Sequence, residues 1–421
     1  MIKKFSRREA LKTLGAGGVL ASIGVLGGCG GSTTRAEPEE AIADSLLSFT
    51  PENQAATFRH VNRLGYTRVI QRGTAVLPLP AHSRNLGAMR YTFAGQSYSI
   101  EDYMKRNRTS GLLILKNGAI ALERYGMGND AETRWTSFSA AKSLTSTLIG
   151  AALKDGSIAN LDDKVSKYVA QLKDSAYAAN SIRELLRMSS GVRWIENYSS
   201  SADSDIARLL QAVQSKVPGA AMAAIGSRPR AAAPGTVFNY STGESYVLGA
   251  VVAAATGTSL SEYASKKIWA PMGMEKNAYW LLDAENGLEM GGNNFSACLR
   301  DYGRFGLFFL RQGMIQNRSI LPDGWRDLAG HPDTPLTACG NLYPDYALGY
   351  GYQWWSFPTG ASSLAVHDGA FSAMGIFGQF IYINPALNIV AVVWSAWPES
   401  WIDSAESETF TLIGNAVALL A

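Results

Sequence analysis

The chain has 421 residues, enough to bury a large core as one big domain or two intertwined ones. Its composition, 47% hydrophobic and 17% charged with 42 Gly and 10 Trp, is that of a soluble globular protein. The formal net charge is +3, but five basic residues against one acidic fall within residues 1–28. The remaining body is therefore nearly neutral, with no electrostatic reason to expect nucleic acid as a partner.

The first 29 residues read as an export signal. Ser6-Arg7-Arg8-Glu9-Ala10-Leu11-Lys12 resembles the twin-arginine pattern, and a Gly-rich apolar run from Leu14 to Leu26 follows it. That run is too short to cross a bilayer as a permanent helix. Leu26-Gly27-Gly28-Cys29 resembles a bacterial lipobox, which implies that Cys29 is the lipidated first residue of the mature protein. An ordinary cleaved signal with an incidental cysteine is the alternative. A polar stretch from Gly30 to about Ser48 reads as a disordered tether, leaving residues 49–421 as the folded domain. The expected location is the periplasm or cell envelope, with the membrane met only through the anchor at Cys29.

Residues 50–110 are a mixed lead-in containing the strand-like Thr67-Arg68-Val69-Ile70. Two apolar runs, 111–116 and 119–125, then flank Asn117-Gly118, the strongest short-range hairpin signal. The hairpin leads to Trp135-Thr136-Ser137-Phe138-Ser139-Ala140-Ala141-Lys142-Ser143, where a helical pattern begins and runs to Asp155-Gly156. Ser139 sits in its first turn, where free N–H groups and the helix dipole favour developing negative charge. Lys142 is three places on, hence on the same face, among Ala140, Ala141 and Leu144 rather than on a charged surface. Ser139 is the only serine in the chain followed by lysine at that offset. A desolvated lysine can take a serine's proton, so Ser139 reads as a nucleophile and Lys142 as its activator.

From about 157 to 280 the pattern is mainly helical, with helices read at 181–188, 204–217 and 243–255, and a capping box at Ser259-x-x-Glu262 opening a fourth that ends before Pro271-Met272-Gly273. Within this lobe, Pro234-Gly235-Thr236-Val237-Phe238-Asn239-Tyr240-Ser241-Thr242 is a loop that puts a tyrosine toward Ser139 across the seam between lobes. A helix follows Asp301-Tyr302-Gly303-Arg304-Phe305, and the C-terminal part returns to strands. These are Gly349-Tyr350-Gly351-Tyr352-Gln353-Trp354-Trp355 and a hairpin of 379–384 with 389–395, before a last helix over 404–420. Strands at both ends with helices between imply an α/β (α+β) body, its antiparallel sheet interrupted by an all-helical lobe. Cys298 and Cys339 have no assigned pairing, and the four histidines are scattered, so neither a metal nor another cofactor is expected.

Ser139-x-x-Lys142 together with Tyr240 resembles the serine β-lactamase and penicillin-binding-protein superfamily, most closely its class C-like branch. Ser137–Ser143, Met188-Ser189-Ser190-Gly191-Val192, Trp269–Met274, Arg300–Gly306 and Gly375-Ile376-Phe377-Gly378-Gln379 are similar to the 6-aminohexanoate-dimer hydrolases and related esterases. The resemblance spans about residue 55 to the C-terminus. It implies that Ser139 is acylated, that Lys142 and Tyr240 pass the proton, and that the N–H groups of Ser139 and Ile376 form the oxyanion hole. It also assigns Gly375 to the edge a substrate backbone approaches and puts Tyr198 on a loop over the cleft. Thr242, a shorter hydrogen-bonding group, stands where the family's Tyr-x-Asn element ends in Asn, and is expected with Gly375, Tyr198 and His367 among the substrate-binding residues. His367-Asp368-Gly369 is a second alignment for the strand edge, with His367 packing or lining the cleft. The chain lacks the Lys-Thr-Gly or Lys-Ser-Gly that anchors a β-lactam carboxylate, which argues against efficient antibiotic hydrolysis.

The function expected is an exported serine hydrolase cleaving a small-molecule ester or linear amide. The alternatives are a D-Ala-D-Ala-type peptidase or weak β-lactamase, and a non-catalytic binding protein on the same fold. An α/β-hydrolase triad is excluded because no Gly-x-Ser-x-Gly occurs.

Overall fold

The computed structural model describes residues 40–421 apart from 46–47, 199–202 and 361–363. The export signal and Cys29 lie outside the described residues. At its heart is a seven-stranded antiparallel sheet in the order Gly349–Tyr350, Trp355–Ser356, Phe371–Gly375, Gln379–Asn384, Ile389–Ser395, Thr109–Lys116, Ala119–Tyr125. Asn117 and Gly118 turn the N-terminal hairpin with φ of 51° and 81°, the left-handed pair a two-residue turn requires. The strand Ile389–Ser395 pairs with Thr109–Lys116, so the two ends of the domain meet in the middle of the sheet.

Alternation along these strands divides the core in two. Leu113, Leu115, Val390, Val392 and Trp394 face one side, against the helices Ala141–Lys154 and Leu299–Leu310. Leu112, Ile114, Ala391 and Val393 face the other, against Leu412, Ile413, Ala416 and Val417 of the last helix, Asp403–Leu420. The result is helix, sheet, helix. A second antiparallel sheet, ordered Thr67–Ile70, Ala278–Leu281, Phe295–Cys298, Arg134–Thr136, leads straight into the Ser139 segment. Between Thr136 and Ala278 the described residues contain helices and no strand.

Several expectations need adjusting. Gly349–Trp355 is not one strand but two short ones, Gly349–Tyr350 and Trp355–Ser356, folded on each other around Gln353 at φ 65°. The helix from Ser259 does not stop before Pro271: Leu260–Ala264 continues through a wider π turn, Ser265–Trp269, to Met272. Trp135 and Thr136 belong to a strand rather than to the helix start. The polar stretch 30–48 is docked at its far end, where Glu40 pairs with Arg59 and His60 and Ala43 is buried. Cys298 and Cys339 are free thiols.

The helix Leu299–Leu310 reaches the sheet only because it carries glycine where it crosses. A Cβ on Gly303 would fall 2.6 Å from Leu113 Cδ2, and one on Gly306 would strike the Val390 side chain. Gly306→Val should therefore destabilise the fold by about 1–3 kcal/mol through overpacking. The check is the midpoint of chemical denaturation, which should fall with the slope unchanged.

Candidate active site

A strand, a kink and a helix deliver Ser139 in succession. The strand Arg134–Thr136 ends with the Ser137 N–H donating to the Phe295 carbonyl at 2.8 Å. Phe138 then adopts φ 44°, which a bulky L-residue takes only when its surroundings hold it there. Its ring is clamped between Phe58 and Phe377, with centroids 4.8 and 5.1 Å away. Phe138–Ala140 forms one tight turn that passes directly into the helix Ala141–Lys154. Ser139 thus lies one turn ahead of the α-helix proper.

Lys142 is 1% exposed and Ser139 7%. The amine Nζ has three polar neighbours: Ser139 Oγ at 3.0 Å, Thr242 Oγ1 at 2.8 Å and the Gly292 carbonyl at 2.7 Å. Thr242 opens the helix Thr242–Thr256, whose N-cap is Ser241. Gly291 and Gly292 let their loop lie on that helix: a Cβ on Gly292 would sit 2.8 Å from the Thr242 carbonyl. Thr145 pins the loop from the other side by donating to the Gly291 carbonyl at 2.6 Å. Burial pushes the Lys142 amine down to about 8, opposed by the charge of Glu196.

Tyr240 comes from the helical lobe, as the sequence suggests, and its ring centroid lies 5.1 Å from Lys142 Nζ. The ring is stacked on Trp355 at 5.7 Å and meets Tyr350 edge-on at 6.2 Å, so the sheet edge fixes its plane. Tyr198 also reaches the site. Its hydroxyl donates to Glu196 Oε1 at 2.7 Å. Burial first, then the charges of Glu196 and Tyr240, push this phenol well above the usual tyrosine range.

Other residues are placed differently from the sequence reading. Thr242 does not face open cleft; its hydroxyl lies between Lys142 and Glu196. At Gly375 the close approach is made by the chain itself, since a Cβ there would lie 2.5 Å from the Ser137 carbonyl. The bare edge lets the strand Phe371–Gly375 abut the Ser137–Phe138 turn and carries Ile376 past it. His367 belongs to the other core, 2% exposed, with Nδ1 3.0 Å from the Tyr382 hydroxyl and its ring against Phe357 and Phe410. Burial there pushes it down to about 4. It packs under the last helix rather than lining the cleft.

The residue that sequence reasoning missed is Glu196. It is 7% exposed and accepts from Trp194 Nε1, Tyr198 OH, Thr242 N and Thr242 Oγ1. The available signal was Trp194-x-Glu196-x-Tyr198, three polar-tipped side chains at spacing two, which an extended segment turns to one side. The loop is held by paired bonds between Ile195 and Asp205 and by Asn239 Nδ2 donating to the Trp194 carbonyl. Among the described residues no group of His, Cys, Asp and Glu is arranged to hold a metal, and no helix is long and apolar enough to cross a membrane.

The beta-lactamase family model matches residues 99–408. The chain is 26% identical over 308 residues to the 6-aminohexanoate-dimer hydrolase of Paenarthrobacter ureafaciens, covering 71% of this chain and 76% of that one. Among solved structures, a Bacillus anthracis protein assigned as a 6-aminohexanoate-dimer hydrolase superposes with a TM-score of 0.78 at 22% identity, over 92% of this chain and 99% of that one. A class C beta-lactamase superposes with a TM-score of 0.55 at 17% identity, over 75% and 93%. EstCE1, a hydrolase with promiscuous acyltransferase activity, gives 0.59 at 17% identity, over 75% and 95%. These likenesses establish the fold: a mixed α/β body with antiparallel sheets.

The buried amine has a measurable consequence. Between about pH 8 and the ordinary lysine value of 10.5, the unfolded chain holds a proton that folded Lys142 has shed. Raising the pH across that window therefore favours the folded state. The stability of the wild type relative to Lys142→Met should rise from pH 8 to 10.5. Denaturant titrations of both proteins at each pH measure this, and a flat difference would contradict it.

Proposed function

The chain belongs to the beta-lactamase family, and we propose that within it this protein is an exported serine hydrolase that forms an acyl-enzyme on Ser139. Its substrate class is a small ester or linear amide. One observation carries the reading: a water-excluded amine 3.0 Å from a serine hydroxyl, with its other polar contacts supplied by the protein. The relative named as a 6-aminohexanoate-dimer hydrolase supports the linear-amide side, and EstCE1, named as a hydrolase with acyltransferase activity, supports acyl transfer.

In the proposed reaction neutral Lys142 takes the Ser139 proton as Oγ attacks the carbonyl carbon. The tetrahedral oxyanion is received by the N–H groups of Ser139 and Ile376. Collapse expels the alcohol or amine, which leaves with a proton passed from Lys142 through Tyr240. Water then enters, gives its proton back along the same route, and releases the acid with Ser139 restored. The sheet edge Ala373–Ile376 offers no cation to a substrate carboxylate. That gives the peptidase and β-lactamase readings less support than the ester or amide one.

Ser139→Ala should abolish hydrolysis of p-nitrophenyl butyrate, and Tyr240→Phe should lower turnover by about 100-fold or more. Unchanged turnover in Ser139→Ala would overturn the nucleophile assignment. We further propose that Cys29 carries the lipid anchor. Cys29→Ala should move the protein from the membrane fraction to the soluble one in a bacterial host, and detergent partitioning reports the change.

A further inference from the structure

The third position of the tyrosine element holds Thr242, and a hydroxyl alone does not specify which way its hydrogen points. Its surroundings do. Glu196 Oε2 receives hydrogens from the Trp194 indole and the Thr242 backbone amide, groups that can only donate. That fixes the plane of the carboxylate. Oε1 then faces the hydroxyls of Tyr198 and Thr242, and a carboxylate can only accept. Thr242 has one hydroxyl hydrogen, which goes to Glu196. Its lone pair is left facing Lys142 Nζ at 2.8 Å. The Gly292 carbonyl, 2.7 Å away, also only accepts.

We propose that Glu196 is a positioning residue acting through Thr242: by taking the threonine's only hydrogen it forces Thr242 to accept from Lys142. With two N–H bonds committed to Thr242 and Gly292, the lone pair of the neutral amine is turned onto Ser139 Oγ. Glu196 and the short Thr242 together do what one longer side chain would do at that position. This assignment rests on the hydrolase reading above, because orientation of the amine matters only if Ser139 has a proton to lose.

The titratable groups facing the amine are Glu196 and Tyr198 from the 193–198 loop and Tyr240 from the lobe. Glu244, two residues along the Thr242 helix, faces Ser190 and Tyr177 instead. Glu196→Gln keeps the shape and reverses the polarity. The Trp194 and backbone donors hold the amide oxygen, so its NH2 points at Thr242, whose hydrogen is then driven toward Lys142. The lone pair is diverted from Ser139.

The experiment follows labelling of Ser139 by a fluorophosphonate across pH, read by peptide mass spectrometry, in the wild type and three variants. In that reaction the Oγ–P bond forms, P–F breaks, fluoride departs and the hydroxyl proton passes to Lys142. Glu196→Gln and Thr242→Val should each slow labelling by about 100-fold or more, while Thr242→Ser stays within about tenfold of the wild type. The acid limb of the Glu196→Gln profile should also move to lower pH, since the anion that favours the ammonium is gone; a merely structural role would leave that limb in place. A Glu196→Gln limb in the wild-type position, or Thr242→Val labelling within about threefold of the wild type, overturns the proposal. If Glu196→Gln fails to fold, the Thr242 pair decides. A wild type that takes no label on Ser139 removes the hydrolase reading itself. Label on the wild type with indifferent variants removes only the role of Glu196.

Discussion

A primary amine stripped of water has three directions to satisfy, and the architecture around Ser139 is arranged to fill those of Lys142. One is met by a threonine at the head of the lobe's longest helix and one by a loop carbonyl brought close by paired glycines. The third is the serine itself. Remove any one of these contributors and a buried polar direction of the amine is left unsatisfied, which costs more than an ordinary lost hydrogen bond at the surface. The two lobes therefore meet at the amine because that is where both have polar groups which water no longer reaches.

The aromatic shell is the apolar counterpart of this constraint. Phe58, Phe138 and Phe377 interlock beneath Ser139, while Trp355 and Tyr350 hold Tyr240 beside it. Rings of this size have few rotamers once packed, so they transmit the positions of the strands to Ser139 and Tyr240. The left-handed Phe138 is the local expense of turning a strand into a helix within two residues.

Much of this was legible in the sequence because it is written locally. The Asn117-Gly118 turn, the 379–384 and 389–395 strands, the last helix and the Ser139/Lys142 offset each follow from spacing within a few residues. The tyrosine loop emerged from its similarity to a known motif. What escaped depended on contacts between distant segments. Glu196 looks like an ordinary loop carboxylate until the helix starting at Thr242 is placed against it. Gly243 shows how close that contact is, since a Cβ there would lie 2.7 Å from the Trp194 ring. His367 stood open between packing and lining the cleft for the converse reason: nothing local distinguishes a histidine packed against Phe357 and Phe410 from one in a cleft.

The central pairing of the large sheet carries a consequence for biosynthesis. Ser110 and Trp394, 284 positions apart, are joined across neighbouring strands, so a nascent chain has no partner for its early hairpin until the ribosome has nearly finished. Closure so remote in sequence is slow, and hydrophobic strand edges stay bare meanwhile. The Ser137–Phe138 turn abuts the late strand Phe371–Gly375 and cannot acquire its shape earlier. An incomplete polypeptide would therefore carry Ser139, Lys142 and Tyr240 without the strand that shapes the Ser139 turn, and its bare strand edges would stay open to aggregation until the C-terminal strands emerge.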